Sequence, residues 1–253
     1  MSSVALHTRG LGISFGAFRA VNNVNLTLEP GARQALIGPN GAGKTTLINL
    51  LTGVFKPTSG TIHMGDRELT SLSADKRARL GLARTFQINT LFPSLTPLLS
   101  VVLAISEREG LGAVWWRPLM RNKALFDEAH ALLGRLKLDA LADVPVAELA
   151  YGKQRLLEIA LAMAARPRIL LLDEPAAGVP EDESGELFEA IDELPQDISI
   201  LFIEHDMNLV FRFSRRISVL VAGQILTEGT PAEIGTDPRV REVYLGHAGA
   251  VHV

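Results

Sequence analysis

An α/β fold with much parallel sheet is what this sequence predicts, and three observations predict it. Short β-type runs alternate with helical patterns along most of the 253 residues. Four of those runs, Arg33–Ile37, Ile169–Leu172, Ile198–Ile203 and Ile217–Val221, are richer in apolar residues than a half-exposed strand, as strands covered on both faces should be. A glycine-rich segment, Gly38 to Thr45, joins the first of them to an apolar helical pattern at Leu47–Leu51.

In chain order, Val21–Leu28 alternates apolar and polar residues and predicts a half-buried antiparallel strand. Arg33–Ile37 and the Leu47–Leu51 helix follow. From about Asn89 to Glu148 the pattern is mostly helical, with Leu125, Ala129, Leu132, Leu133 and Leu136 on one stripe of Lys123–Leu136. This stretch predicts a helical subdomain inserted into the α/β body. Gln154–Ala164 reads as a helix and Ile169–Leu172 as the buried strand after it. Near the end, Thr230-Pro231-Ala232-Glu233 is a capping box with proline at the first helical position, and Asp237-Pro238 opens another helix in the same style.

Composition narrows the function. With 47% hydrophobic and 21% charged residues, the chain has ordinary globular usage and enough apolar side chains for a large core. A net charge of −3 and no run of clustered Lys and Arg give no field for a polyanion, so no nucleic-acid partner is expected. The absence of cysteine excludes disulfides, thiolate nucleophiles and Cys-ligated zinc. Met1–Gly10 lacks the basic start and apolar stretch of a signal peptide, and the apolar runs are far too short to span a membrane. A mean hydropathy of +0.20 therefore calls for a large core or an apolar surface that meets a partner.

Gly38-Pro39-Asn40-Gly41-Ala42-Gly43-Lys44-Thr45 fits G-x-x-x-x-G-K-[ST] in the strand–loop–helix setting that the motif needs. Its backbone N–H groups can curl round phosphate oxygens, with the helix N-terminus adding a favourable dipole. Lys44 then reaches the β- and γ-phosphates, the Thr45 hydroxyl ligates Mg²⁺, and Thr46 continues the loop. Chance alone produces this match in about one in a hundred chains of such length. Arg168–Glu174 is an apolar strand ending in two carboxylates. Asp173 is placed to hold Mg²⁺, and Glu174 to orient and deprotonate an attacking water.

Between these motifs, Leu149-Ala150-Tyr151-Gly152-Lys153-Gln154-Arg155 stands where ATP-binding subunits of ABC transporters carry their L-S-G-G-Q signature. The whole chain resembles that family. The resemblance implies a P-loop NTPase (RecA-like) core with an antiparallel β subdomain and an inserted α-helical subdomain. It divides one domain, 1–253, into a nucleotide-binding core (1–88 and 149–253) and a helical part (89–148). It implies that Gln87 contacts Mg²⁺ and water, that His205 holds the γ-phosphate and the catalytic Glu174, and that Phe15 stacks on adenine. Phe18 in that place, or a core role for Phe15, stays open. Ala150, Tyr151, Gly152 and Lys153 would face the nucleotide of a second subunit.

Within the family, Tyr151-Gly152, Pro175-Ala176-Ala177-Gly178, Glu204-His205-Asp206-Met207 and the tail through Tyr244-Leu245-Gly246 are most similar to ATPases of branched-chain amino-acid and related amide or urea importers. The expected partners are integral-membrane permease subunits, a second ATPase subunit and an extracytoplasmic substrate-binding protein, with this chain peripheral on the cytoplasmic face. A soluble ABC ATPase acting on nucleic acid or ribosome is the alternative. Three positions depart from the family. Ala150 lacks the signature serine hydroxyl, Lys153 replaces a glutamine, and Pro180 replaces a polar residue of the loop after Glu174, which puts coupling between two sites in doubt. Adjacent Trp115 and Trp116 fit either a permease contact or the helical part's own core.

Overall fold

Successive side chains of a fully covered strand must enter two different cores, and this alternation organises the chain. The computed structural model describes residues 4–85, 91–111 and 122–248. The chain opens with β1 (Leu6–Phe15), β2 (Phe18–Val24), β3 (Thr27–Leu28), β4 (Arg33–Ile37) and helix α1 (Lys44–Thr52). Next come β5 (Ser59–Met64), β6 (Arg67–Glu68), α2 (Ala74–Arg79) and β7 (Leu82–Arg84). Helices α3 (Pro97–Arg108), α4 (Lys123–Arg135) and α5 (Tyr151–Ala164) lead to β8 (Ile169–Asp173), α6 (Glu181–Asp192), β9 (Ser199–Ile203) and α7 (Met207–Phe213). The hairpin β10 (Arg216–Val221) and β11 (Gln224–Gly229) precedes α8 (Pro231–Thr236) and α9 (Pro238–Ala248).

One sheet runs β11-β10-β4-β9-β8-β7, parallel except for the β10–β11 hairpin. The other is antiparallel, in the order β2-β1-β5-β6 with β3 beside β1. Leu36, Leu171 and Leu201 project into the core between the sheets, where they meet Leu11, Val24 and Ile62. Ala35, Ile37, Leu172 and Phe202 project into the other core, shared with α3, α4 and α5 through Val101, Leu133 and Leu157. Every residue of β4, β8 and β9 is buried. Truncating one such leucine to alanine costs about 2–5 kcal/mol, so these strands are rigid platforms for whatever follows them.

Register then decides what meets. Leu36 of β4 pairs with Ile203 of β9, and Ile203 pairs with Asp173 of β8. The chain leaves all three strands at one row of the sheet, so the segments starting at Gly38, Glu174 and Glu204 emerge side by side. Such a carboxyl edge is where open α/β sheets bind ligands.

The described part of 89–148 contains α3, α4 and two 3₁₀ turns, Asp139–Leu141 and Val146–Glu148. Of the expected stripe, Leu125, Ala129, Leu133 and Leu136 are buried and Leu132 partly so. Some local expectations need correction. The run Val21–Leu28 is not one strand. Asn23 takes a left-handed φ of 53°, and the Asn25 side chain accepts from the Gly10 N–H at 2.8 Å, which ends β2 at Val24. The alternation was real, but a polar side chain outbid the ladder for the backbone. Helix α5 begins at Tyr151 rather than Gln154, so Gly152 lies inside its first turn. The hairpin turn at Ala222 and Gly223 has positive φ at both residues, 47° and 78°, as a tight two-residue turn requires.

Candidate active site

The loop after β4 is shaped by its neighbours as much as by its own glycines. Gly43 sits at φ 102°, and a Cβ there would lie 2.5 Å from the Ala20 carbonyl oxygen. Only glycine lets the loop approach β2 so closely before α1 begins at Lys44. Lys44 is 7% exposed, and its ammonium donates to the carbonyls of Gly38 (2.7 Å) and Pro39 (3.1 Å). Burial lowers its pKa, opposed by the negative charges of Glu174 and then Asp173. The cation is thus held at the mouth of the loop, facing two carboxylates from another strand. Thr45 is exposed and Thr46 half-buried on the first turn of α1.

Asp173 ends β8 with its side chain wholly buried. One oxygen, Oδ2, accepts from Arg84 Nη2 at 2.7 Å, while Arg84 Nη1 donates to Asn49 Oδ1 of α1 at 2.6 Å. The other oxygen, Oδ1, has no hydrogen-bond partner among the described residues. Glu174 follows in a left-handed conformation, φ 51°, which is uncommon for a non-glycine residue and strained by about 1–3 kcal/mol. Its N–H donates to the Ile203 carbonyl at 3.1 Å, and its Oε1 lies 2.6 Å from His205 Nε2. Since an ionised carboxylate only accepts, this contact assigns the imidazole proton to Nε2.

Phe15 and Phe18 pair across the tip of the β1–β2 hairpin, 48% and 65% exposed. Phe15 meets the ring of Phe55 edge-on, with centroids 5.6 Å apart. It is therefore no core residue, and both rings are available to a planar ligand.

The Ala150–Lys153 segment packs against α6 and the chain at Gly178 and Val179. Ala150 caps α5, the Tyr151 hydroxyl accepts from Arg155 Nη2 at 2.7 Å, and Lys153 pairs with Glu186 at 3.3 Å. A Cβ on Gly152 would meet Glu183 Oε2 at 2.5 Å. Among the described residues, no hydrogen bond or ion pair joins Ala150–Lys153 to the loop 38–46. The lysine's charge is engaged with α6, whose N-terminus follows Pro180. The structure thus brings the phosphate loop, Asp173, Glu174 and His205 together, and leaves the glycine turn of α5 outside that group. Gln87, Trp115 and Trp116 lie outside the described residues.

Several side chains in or beside this site escape sequence reasoning. Arg84 reaches Asp173 only because β7 and β8 are neighbours. Glu204 is 6% exposed and follows β9, where the sequence shows merely a carboxylate beside a histidine. Tyr244 of α9 feels the Gly38 backbone N–H, which pulls its phenol down, although burial still pushes it up to about 12. No local pattern links that tail residue to the loop.

The ABC transporter family pattern matches residues 21–177, and the pattern described as branched-chain amino acid ATP-binding cassette transporter matches residues 224–250. The chain is 44% identical to the high-affinity branched-chain amino acid transport ATP-binding protein LivG of Escherichia coli, over 98% of this chain and 100% of that protein. It is 40% identical to the corresponding protein BraF of Pseudomonas aeruginosa, with the same coverage of each. Among solved structures, an ATP-binding cassette of an ABC transporter in its ADP conformation matches with a TM-score of 0.84 at 30% identity, covering 97% of this chain and 100% of that one. The relatives named here are transport proteins, which lends the soluble nucleic-acid alternative no support.

Proposed function

The chain belongs to the ABC transporter family, and from that premise we propose that it is the ATP-hydrolysing subunit of an importer of branched-chain or other amino acids or related amides. Its nucleotide core would be 1–88 with 149–253, and 89–148 its helical subdomain. One observation carries the hydrolytic reading: the Glu174 carboxylate contacts His205 at 2.6 Å beside the buried ammonium of Lys44.

Hydrolysis needs a positioned water, an acceptor for its proton and positive partners for the phosphoryl oxygens. Gly38–Thr46 and the N-terminus of α1 supply backbone donors, with the Lys44 charge beside them. Phe15 offers a half-exposed ring for the adenine. Glu174 takes the proton of the water as its oxygen bonds to the γ-phosphorus. The bond from that phosphorus to the bridging oxygen breaks, and ADP and phosphate leave. His205, donating to Glu174 Oε1 at 2.6 Å, holds the base in place until the proton arrives.

Magnesium suits these residues. Asp173 Oδ1 is a buried carboxylate oxygen without a partner among the described residues, and Thr45 presents a hydroxyl nearby in sequence to Lys44. Among the described residues no cluster of three His, Asp or Glu could hold a metal ion by itself, which accords with a cation that shares its shell with phosphate oxygens. We assign Thr45, Asp173 and Gln87 to it. When bound, it supplies charge neutralisation at those oxygens.

No helix among the described residues is long and apolar enough to cross a membrane. We place the chain on the cytoplasmic face, docked to permease subunits that an extracytoplasmic binding protein loads. A groove of about 470 Å³ between α1, α2, β7 and α5, lined by Val54, Ala78, Leu82, Leu91 and Leu161, is the apolar surface that supports such docking. Glu174→Gln tests the chemistry. Nucleotide binding should survive while phosphate release falls by about 100-fold or more. Near-wild-type turnover would overturn the assignment. Uptake of labelled leucine by cells with and without this chain tests the cargo.

A further inference from the structure

The two loops that carry Glu174 and His205 leave different strands, β8 and β9. One buried side chain joins them. Glu204, the first residue after β9, is 6% exposed. Its Oε1 accepts from the Ala176 N–H at 2.9 Å, two residues beyond Glu174, and its Oε2 accepts from the His205 N–H at 3.1 Å. A single carboxylate therefore spans the base loop and the histidine loop at the place where their side chains meet.

We propose that Glu204 is the positioning residue of the hydrolytic pair, clamping the loop of Glu174 to that of His205. The inference rests on the roles given above to Glu174 and His205, and goes beyond them by naming what aligns the two. Three physical points support it. Glu174 sits in a strained backbone conformation, and such conformations persist only where neighbouring contacts over-determine them. The Ala177 N–H closes a turn onto the Glu174 carbonyl at 3.0 Å, and Glu204 grips Ala176 within that turn. Hydrogen bonds from N–H groups to a carboxylate are roughly twice as strong as neutral ones, so the clamp is stiff. The cost is visible in Glu204 itself. Burial raises its pKa, the two N–H donors pull it down, and the charge of Glu174 pushes it up again. A side chain kept there against desolvation and a like charge is an expensive way to close two backbone donors. Its geometric return is that Glu174 and His205 cannot drift apart.

Only alignment depends on the clamp, so its loss should fall on turnover rather than on nucleotide binding. Misplacing a reacting group by about 1 Å can cost on the order of 100-fold, and Glu204→Ala should lower kcat by about 10- to 100-fold. The KM for ATP should stay within about twofold, because the phosphate loop belongs to β4 and α1. Glu204→Gln keeps one acceptor and should recover part of the lost rate. The deciding measurement is a cycle of Glu174→Gln, Glu204→Ala and the double variant, with single-turnover phosphate release and nucleotide affinity measured for each. A residue acting through Glu174 adds little to the loss already caused by Glu174→Gln. Multiplying losses in the double variant, or wild-type kcat in Glu204→Ala, would overturn the proposal while leaving the role of Glu174 intact. A fall in nucleotide affinity parallel to the fall in kcat would reduce Glu204 to general structural support and overturn it too. Wild-type turnover by Glu174→Gln would instead remove the reading on which the clamp rests.

Discussion

Phe15 ends β1 with about half its surface exposed and only the edge of Phe55 against its ring. A side chain so placed adds little to the core, so Phe15→Ala should raise the KM for ATP several-fold while the unfolding temperature moves by less than about 4 °C. Steady-state hydrolysis and a thermal melt on the same sample check this. A large stability loss with unchanged KM would return Phe15 to a packing role. At Glu174 the sequence shows a carboxylate after an apolar strand, and the motif suggests a base. It does not show the left-handed backbone or the partner that holds the loop. Both follow from β8 lying beside β9, a fact about residues thirty apart in the chain.

Helix α1 shows how an element is fixed at both ends. Its N-terminus carries the phosphate loop, and its C-terminal carbonyls are gathered by Arg77 of α2, which is 1% exposed. That guanidinium donates to Leu50 and Leu51 at 2.7 Å each, and also to Leu72 and Thr70. Burial lowers its pKa, and the carbonyl bonds carry the compensation. Arg77→Met should leave the last turn of α1 short of donors and lower stability by about 2–4 kcal/mol, since hydrogen bonds to a charged group are worth about 1.5–3 kcal/mol each and part is recovered by apolar burial. Urea unfolding would show a lower midpoint with unchanged slope. Nucleotide affinity of the folded fraction should not change, because the damage lies at the far end of the helix.

At the scale of the whole molecule, no hydrogen bond or ion pair among the described residues joins the turn at Gly152 to the phosphate loop, and we propose that a second subunit completes the site. Gly152→Asp should abolish hydrolysis and spare nucleotide binding. The structure adds a second cause within the same chain, because the new side chain would be driven against the Glu183 carboxylate. Glu174→Gln should trap an ATP-bound dimer, seen as a shift in size-exclusion chromatography with ATP. Hydrolysis that stays proportional to protein concentration down to dilutions where only monomer exists would contradict the composite site. If homodimers never form, mixing with a similar ATPase should restore turnover.

The sequence by itself determined the class of fold and the candidate residues of the site. Gly38–Thr45 is contiguous, Asp173 and Glu174 are adjacent, and the apolar strands before them need no knowledge of their neighbours to be legible. The capping box at Thr230 was equally plain, and its reciprocal bonds are present. The tertiary structure alone decided which of these segments meet. The strand order β4-β9-β8 sets Glu174 against His205, the β7–β8 pairing turns Arg84 onto Asp173, and the packing of α9 carries Tyr244 to Gly38. Composition and periodicity record what each residue prefers locally, whereas strand order is settled by how two cores are filled at once. That is why the break at Asn23–Asn25 and the clamp at Glu204 became visible only when distant backbones were brought together.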